Sequence, residues 1–278
     1  MTKPKFIPRP PESPEVIEAR WNKKKERLEH LSNDIRRLRL NVTKSLGDRD
    51  NEKEYLTSLA ICLMDKTGER VGNEESASNG HYGVTGLRKK HIKVNGNQVT
   101  LKYTGKSEVD HEKTFSDQKL ASNLEWAIDN SPSQFVFTTS EGFRIKGDRV
   151  NRYLKEFGIS SKNLRGYTCN NLMSVKLNAL TPEEDEKKRK KQFNKALKEV
   201  AGKIGHGKGT LKKHYLIPEL YVDFVEKGKV TDIKNLGYFK DGGEIDKPLD
   251  KKATEKKPSE VFKKYYSKNG GLFFGSYF

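Results

Sequence analysis

His91-Ile92-Lys93-Val94-Asn95-Gly96-Asn97-Gln98-Val99-Thr100-Leu101-Lys102-Tyr103-Thr104 is the stretch where the periodicity of this chain changes. His91 to Val94 and Gln98 to Thr104 alternate as strands do, and Asn95-Gly96-Asn97 between them is turn chemistry, so a β-hairpin is predicted. Gly105 to Asp110 reads as a second turn, and His111 to Phe115 as a third strand. On both sides the apolar residues return at helical spacing. Upstream, Ser13-Pro14 is an N-cap followed by a first-turn proline. Ile17, Trp21, Leu28, Leu31, Ile35, Leu38 and Val42 then repeat along a long, charged helix that closes at Gly47-Asp48. A second helix from about Asp50 carries Leu56, Leu59, Ala60, Leu63 and Met64 on one face, with Gly68 as its C-cap. Downstream, Leu120, Leu124 and Ile128, then Val150, Leu154 and Phe157, continue the helical pattern. Helices follow over about 162–180 and 181–204, the second capped by Thr181 and Pro182, and a last one carries the segment around Tyr215. The fold class is therefore α+β, mainly α-helical, with a small antiparallel three-stranded sheet. Residues 1–12 read as a flexible arm, 13–48 as an N-terminal helical segment, 49–225 as the main domain and 226–278 as a basic extension.

Charge narrows the partner. The 278 residues contain 55 Lys and Arg against 38 Asp and Glu, a net charge of +17. That excess predicts a polyanion, reached through counterion release from phosphates or attraction to anionic lipid. No apolar run approaches the ~18 residues of a membrane span, and Met1 to Pro14 lacks the apolar core of a secretory signal. A nucleic acid is the expected partner, with no membrane. Cys62 and Cys169, the only cysteines, give neither a disulfide framework nor a zinc site. Both read as reduced core thiols, which places the protein inside the cell. No metal site and no cofactor are expected.

Several residues carry chemistry. Tyr215 follows Gly205-His206-Gly207-Lys208 and Lys212-Lys213-His214, with Arg165 and Arg70 upstream in short distinctive contexts. A phenol is a weak nucleophile near neutral pH, with a pKa of about 10. It gains use when cations hold it against a phosphate that already carries negative charge. Singly, each candidate has a plainer reading. Arg70, in Glu69-Arg70-Val71-Gly72-Asn73, could simply complement a helix C-terminus, and Lys106 could be a solvated lysine at a hairpin tip. Arg165, in Lys162-Asn163-Leu164-Arg165-Gly166-Tyr167, gains nothing from the dipole early in a helix, so its charge asks for another partner. Thr104-Gly105-Lys106-Ser107 looks like the end of a phosphate-binding loop, but Thr100 stands where the first glycine would fall and a hairpin surrounds it. No nucleotide is expected. Arg88, Lys89 and Lys90 form a run suited to phosphate contacts. Asn170, five residues after Arg165, is a further candidate contact to DNA backbone, as are Asn73, Lys208, Lys212 and Lys213. Glu183 to Lys191 reads as an exposed helix face.

Together the order Arg70, Lys106, Arg165, His206, Tyr215 resembles the active site of type IB DNA topoisomerases, closest to the compact poxvirus and bacterial enzymes. Arg70-Val71-Gly72-Asn73, Tyr82-Gly83-Val84-Thr85-Gly86-Leu87-Arg88, His91, Tyr103-Thr104-Gly105-Lys106, Leu164-Arg165-Gly166-Tyr167, Ile204-Gly205-His206 and Lys213-His214-Tyr215 are similar to that family's blocks, in order, over roughly residues 50–222. The resemblance implies the tyrosine recombinase/topoisomerase IB-like catalytic fold. It also implies that Tyr215 forms a 3′-phosphotyrosyl link, that Arg70, Arg165 and His206 bind the non-bridging oxygens, and that Lys106 protonates the leaving 5′-oxygen. Neither ATP nor metal is needed on that scheme. Compact members carry a strand-rich N-terminal cap domain, which is not visible before Arg70, so a second chain is one source for it. Two alternatives stay open. A tyrosine recombinase shares the fold and the chemistry, although Lys162 stands where recombinases usually place a histidine. A non-enzymatic DNA-binding protein on the same fold would keep the charge without the cleavage.

Overall fold

The computed structural model describes residues 13–231 and Ile233. The expected arm at 1–12 and nearly all of the 226–278 extension, including Lys251-Lys252, Lys256-Lys257, Leu272-Phe273-Phe274 and Tyr277-Phe278, lie outside the described residues.

Helix α2 (Glu52–Thr67) is the axis around which the chain is wrapped. From Tyr55 to Met64 every residue except Cys62 is buried. A helix apolar on nearly all faces must be covered on all of them. The cover comes from α1 (Pro14–Ser45), α4 (Gln118–Asn130), α5 (Gly147–Glu156) and α6 (Ser161–Asn178). On α1, Leu31, Ile35, Leu38 and Val42 are buried as their spacing predicts; the side chains of Ile17, Trp21 and Leu28 lie outside the described set. Arg39 of α1 reinforces the contact through Asp65 of α2, at 2.8 Å. Helix α1 ends at Ser45, just ahead of the expected Gly47-Asp48 stop. Helix α2 ends where expected, with Gly68 left-handed at φ 67°.

The sheet is antiparallel in the order β1 (Ile92–Asn95), β2 (Gln98–Gly105), β3 (Val109–Ser116). Asn95 pairs with Gln98, so the first turn is Gly96-Asn97, with Gly96 at φ 60°. Positive φ at the first central residue alone gives a II′-type turn, whose twist suits the strands. Gly105 pairs with Val109, leaving the three-residue loop Lys106-Ser107-Glu108. Glu108 takes the left-handed conformation at φ 58°, the position such loops usually give to glycine. Val99, Leu101, Tyr103 and Gly105 all face inward on β2, onto a core shared with α4. Asp117 both caps α4, accepting from the Leu120 N–H at 3.1 Å, and binds Lys66 of α2 at 2.9 Å.

Two expectations are corrected beyond α6. Helix α7 runs Glu186–Ile204 and starts at Asp185, whose carboxylate accepts from the Lys188 N–H at 2.9 Å; Thr181 and Pro182 precede it in a loop. The reason is Arg189. This residue sits in the charged stretch expected to be solvated, yet it is 8% exposed. Its guanidinium donates to the carbonyls of Glu183 and Glu184, and to those of Val225 and Glu226 at the end of the last helical turn. One side chain thus holds the entry to α7 against the π-helical turn Val222–Glu226. That turn follows α8 (Lys208–His214) and α9 (Pro218–Tyr221).

Removing that guanidinium leaves four carbonyls without their donor. Arg189→Ala is expected to destabilise the protein by ~3 kcal/mol in urea denaturation, and Arg189→Lys to restore little, since an ammonium cannot span the same fork. A loss under about 1 kcal/mol would mean that water replaces the guanidinium without cost.

Candidate active site

Arg70 leaves α2 two residues after its left-handed cap, and a backbone clasp fixes the direction of exit. The Val84 N–H donates to the Arg70 carbonyl and the Thr85 N–H to the Val71 carbonyl, each at 2.9 Å. Gly72 and Gly83 meet there so closely that a Cβ on Gly83 would lie 2.5 Å from the Gly72 Cα. This accounts for both glycines in the blocks Arg70–Asn73 and Tyr82–Arg88: two backbones touch where no side chain fits.

Arg165 lies in the first turns of α6 and is 4% exposed. Its guanidinium donates to the Ile204 carbonyl at 2.7 Å, tying α6 to the C-terminus of α7. Gly205 then ends α7 in the left-handed conformation, at φ 71°, and delivers His206. The Arg70 guanidinium lies 3.4 Å from His206 Nδ1. An arginine only donates, so Nδ1 accepts and the ring hydrogen sits on Nε2. That Nε2 is buried and has no hydrogen-bond partner among the described residues. Tyr215 follows α8 as its C-cap. Its ring lies 4.9 Å from the His206 ring and 5.9 Å from the Arg165 guanidinium, centroid to carbon. Gly166, next to Arg165, faces the Tyr215 ring, where a Cβ would lie 3.8 Å from the ring edge.

Burial, the charge of Arg165 and that of Arg70 push the His206 pKa down to about 3, so the imidazole is neutral at pH 7. Burial and Arg165 likewise lower the Arg70 pKa. Among the described residues neither arginine forms an ion pair. The one buried carboxylate among them, Glu69, turns away to Lys113 and to His111 Nδ1, at 3.1 Å from the imidazole. Those two partners hold its pKa down to about 2 against the opposing effect of burial, the largest single influence on it. The result is a small, largely buried basic recess beside the Tyr215 ring.

Four of the five candidate chemical residues are therefore brought together. The fifth, Lys106, stands apart on the exposed β2–β3 loop. The other candidates divide. Asn73 caps α3 (Glu74–Ser78), its side-chain oxygen accepting from the Ser76 N–H at 2.7 Å, and remains exposed. Lys90, Lys208 and Lys213 are exposed. Lys89 is bound to the Ser131 carbonyl at 2.8 Å, and Arg88 rests over the rings of Tyr82 and Phe135, so the basic run presents fewer charges outward than its sequence suggests. Lys212 turns inward, its ammonium 3.9 Å from the Tyr221 ring centroid, and burial lowers its pKa to about 8.

Asn170 corrects the sequence reading. It is fully buried, and its amide donates to the carbonyls of Gly166 and Tyr215, both at 2.8 Å, while its oxygen accepts from the Ile217 N–H at 2.9 Å. Instead of facing DNA it holds the backbone that leaves Tyr215, from the Tyr215 carbonyl to the Ile217 N–H. Glu69, His111 and Lys113 were missed altogether. The available signal was the spacing of His111 and Lys113 on one face of a strand, which places two nitrogen bases side by side under a single acid. Among the described residues no group of three or more His, Cys, Asp or Glu could hold a metal ion, and no helix is long and apolar enough to cross a membrane.

The family model for the catalytic core of eukaryotic DNA topoisomerase I matches residues 14–230. DNA topoisomerase 1B of Vaccinia virus (strain Copenhagen) is 23% identical over 203 residues, covering 70% of this chain and 62% of that protein. DNA topoisomerase 1B of Acanthamoeba polyphaga mimivirus is 26% identical over 188 residues, covering 61% and 56%. The chain thus spans less than two thirds of the length of these relatives. A solved XerH site-specific recombinase, bound to palindromic difH substrate in a post-cleavage complex, is 17% identical over 69% of this chain and 49% of that one. Its TM-score of 0.43 is too low to carry weight. With residues 14–230 matched and the motif order of the type IB enzymes in place, the chain belongs to the eukaryotic DNA topoisomerase I catalytic-core family.

Proposed function

We propose that this protein is a type IB DNA topoisomerase, which opens and reseals one strand of duplex DNA through Tyr215 and relaxes supercoils without ATP or metal. The observation that carries this reading is the cluster of Arg70, Arg165 and neutral His206 around the Tyr215 ring, with no carboxylate paired to either arginine among the described residues. Such a recess suits the non-bridging oxygens of a phosphodiester. The Tyr215 oxygen attacks phosphorus, an O–P bond forms as the P–O5′ bond breaks, and the 3′ phosphate stays on the protein. The two guanidiniums and His206 Nε2–H meet the charge that grows in the pentacoordinate state. Lys106, on its loop, gives its proton to the departing 5′-oxygen, while the phenol gives its own to solvent water. Return of the 5′-hydroxyl reverses each step, so the bond energy is conserved. Asn73, Lys90 and Lys208 are placed outward for duplex backbone.

Supercoiled plasmid in EDTA without ATP tests the whole reading. The protein should relax it and Tyr215→Phe should not. If neither relaxes DNA, a nicked duplex that traps the covalent adduct separates the remaining cases. An adduct without relaxation points to recombinase chemistry or a missing partner, and binding without an adduct overturns the enzyme reading.

Asn170→Ala removes the hydrogen bonds that hold the Tyr215 carbonyl and the Ile217 N–H, and misplacement of a nucleophile by ~1 Å can cost ~100-fold in rate. Single-turnover cleavage should therefore fall by ~10- to 100-fold with DNA affinity unchanged. Equal affinity and equal rate would remove Asn170 from the mechanism.

The neutral His206 makes a pH prediction. Its pKa in the fold, about 3, lies below the ordinary 6.5, so the unfolded chain takes up the proton first as pH falls. The stabilisation is full above about 6.5 and is lost as pH falls toward 3. His91, lowered to about 4 by burial, Lys90 and Arg88, adds in the same direction. The Tm of the DNA-free protein should decline below pH 6.5, and less steeply in His206→Asn. Parallel slopes would overturn the neutral assignment.

A further inference from the structure

His111 is a buried ring, 3% exposed, that the mechanism above does not use. It stands between three of the elements that supply the chemistry. Its Nδ1 lies 3.1 Å from Glu69, the residue before Arg70. Glu69 is flanked by the Lys113 ammonium and is an acceptor, so Nδ1 carries the hydrogen. One edge of the ring presses on Gly105, the residue before Lys106: a Cβ there would lie 2.6 Å from Nε2. Another edge presses on Gly205, the residue before His206: a Cβ there would lie 2.2 Å from Cε1. Tyr103 covers a face of the imidazole, stacked at 4.8 Å between centroids with 11° between the planes. Neither glycine could carry a side chain without moving the ring.

These contacts are not equal in stiffness. Gly205 is fixed by the end of α7 and by the Arg165 bond to the Ile204 carbonyl. Glu69 is fixed by Lys113 and by the α2 cap. The β2–β3 loop is an exposed three-residue connection with a left-handed Glu108. When the ring is removed, the part free to shift is the loop.

We infer that His111 is a positioning residue, a rigid spacer that sets the Lys106 loop at a fixed distance from His206 and Arg70. The inference rests on the topoisomerase reading, in which Lys106 protonates the leaving 5′-oxygen. It assigns His111 no contact with DNA and no proton of its own to transfer. Glu69 serves as the anchor that orients the ring.

The test compares two DNA substrates under single-turnover conditions. One has the ordinary bridging 5′-oxygen. The other has sulfur in its place, and a thiolate departs without needing a proton. His111→Ala is expected to lose ~10- to 100-fold on the oxygen substrate and to recover to within about threefold of wild type on the sulfur substrate, as Lys106→Ala should. His111→Asn keeps a donor at the Nδ1 position for Glu69 while losing the ring's thickness, and should behave in the same way. This second variant guards against a simple folding defect, and the thermal melts of both are compared with wild type. Equal losses on the two substrates, or no loss on either, would overturn the spacer role while leaving the Tyr215 chemistry intact. Failure of the wild type to form a Tyr215-dependent adduct with either substrate would instead overturn the reading beneath it.

Discussion

Repulsion between like charges is the constraint that organises the rest of this molecule. Arg70 and Arg165 converge beside His206 in a recess partly shielded from water, and the fold offers them neutral acceptors in place of carboxylates. A carboxylate would relieve the repulsion and also fill the place that the proposed function gives to a phosphate. The buried acid that does lie nearby, Glu69, is occupied by Lys113 and His111. Stability must then come from elsewhere. It comes from α2, wrapped on nearly every face, and from carbonyl-bound cations such as Arg189 that brace the segment after Tyr215.

The same constraint explains why charge patterning misleads here. A run such as Arg88-Lys89-Lys90 looks like a row of equal phosphate contacts, yet Arg88 lies on aromatic rings and Lys89 on a carbonyl. Arg189 looks like part of a solvated helix face and is among the most buried cations described. Long cationic side chains carry apolar stems, and burial of the stem decides where the charge ends up. Sequence reports the charge but not the direction of the stem.

What was legible follows from short-range rules. The three-stranded sheet, the Gly68 cap and the buried stripe Leu31-Ile35-Leu38-Val42 follow from local periodicity and turn chemistry. The strand ends differ, because Gly105 pairs with Val109 and Thr104 with Asp110, which shortens the second turn to Lys106-Ser107-Glu108 and starts β3 at Val109. Thr181-Pro182 satisfies the local rule for the α7 start as well as Asp185 does; the Asp185 cap is favoured because Arg189 holds the Glu183 and Glu184 carbonyls and ties them to Val225 and Glu226 across the chain. The five chemical residues stood out through motif order, and the structure gathers four of them. Asn170 was assigned to the wrong neighbour for a similar reason. Its spacing from Arg165 puts it on α6, but only the return of the chain at Tyr215 and Ile217 shows what its amide meets.

The short α8 has a mechanical consequence. If DNA becomes joined to Tyr215, any pull or twist on the strand enters the protein at the C-cap of a helix of seven residues. Behind that point the load divides. Part passes through the Asn170 amide into α6, and part through α9 to the carbonyls gripped by Arg189. Hydrogen bonds loaded in parallel yield together, at a higher force than bonds loaded in series. The covalent joint is thus seated less like a hook on a flexible arm than like a pin set in two walls.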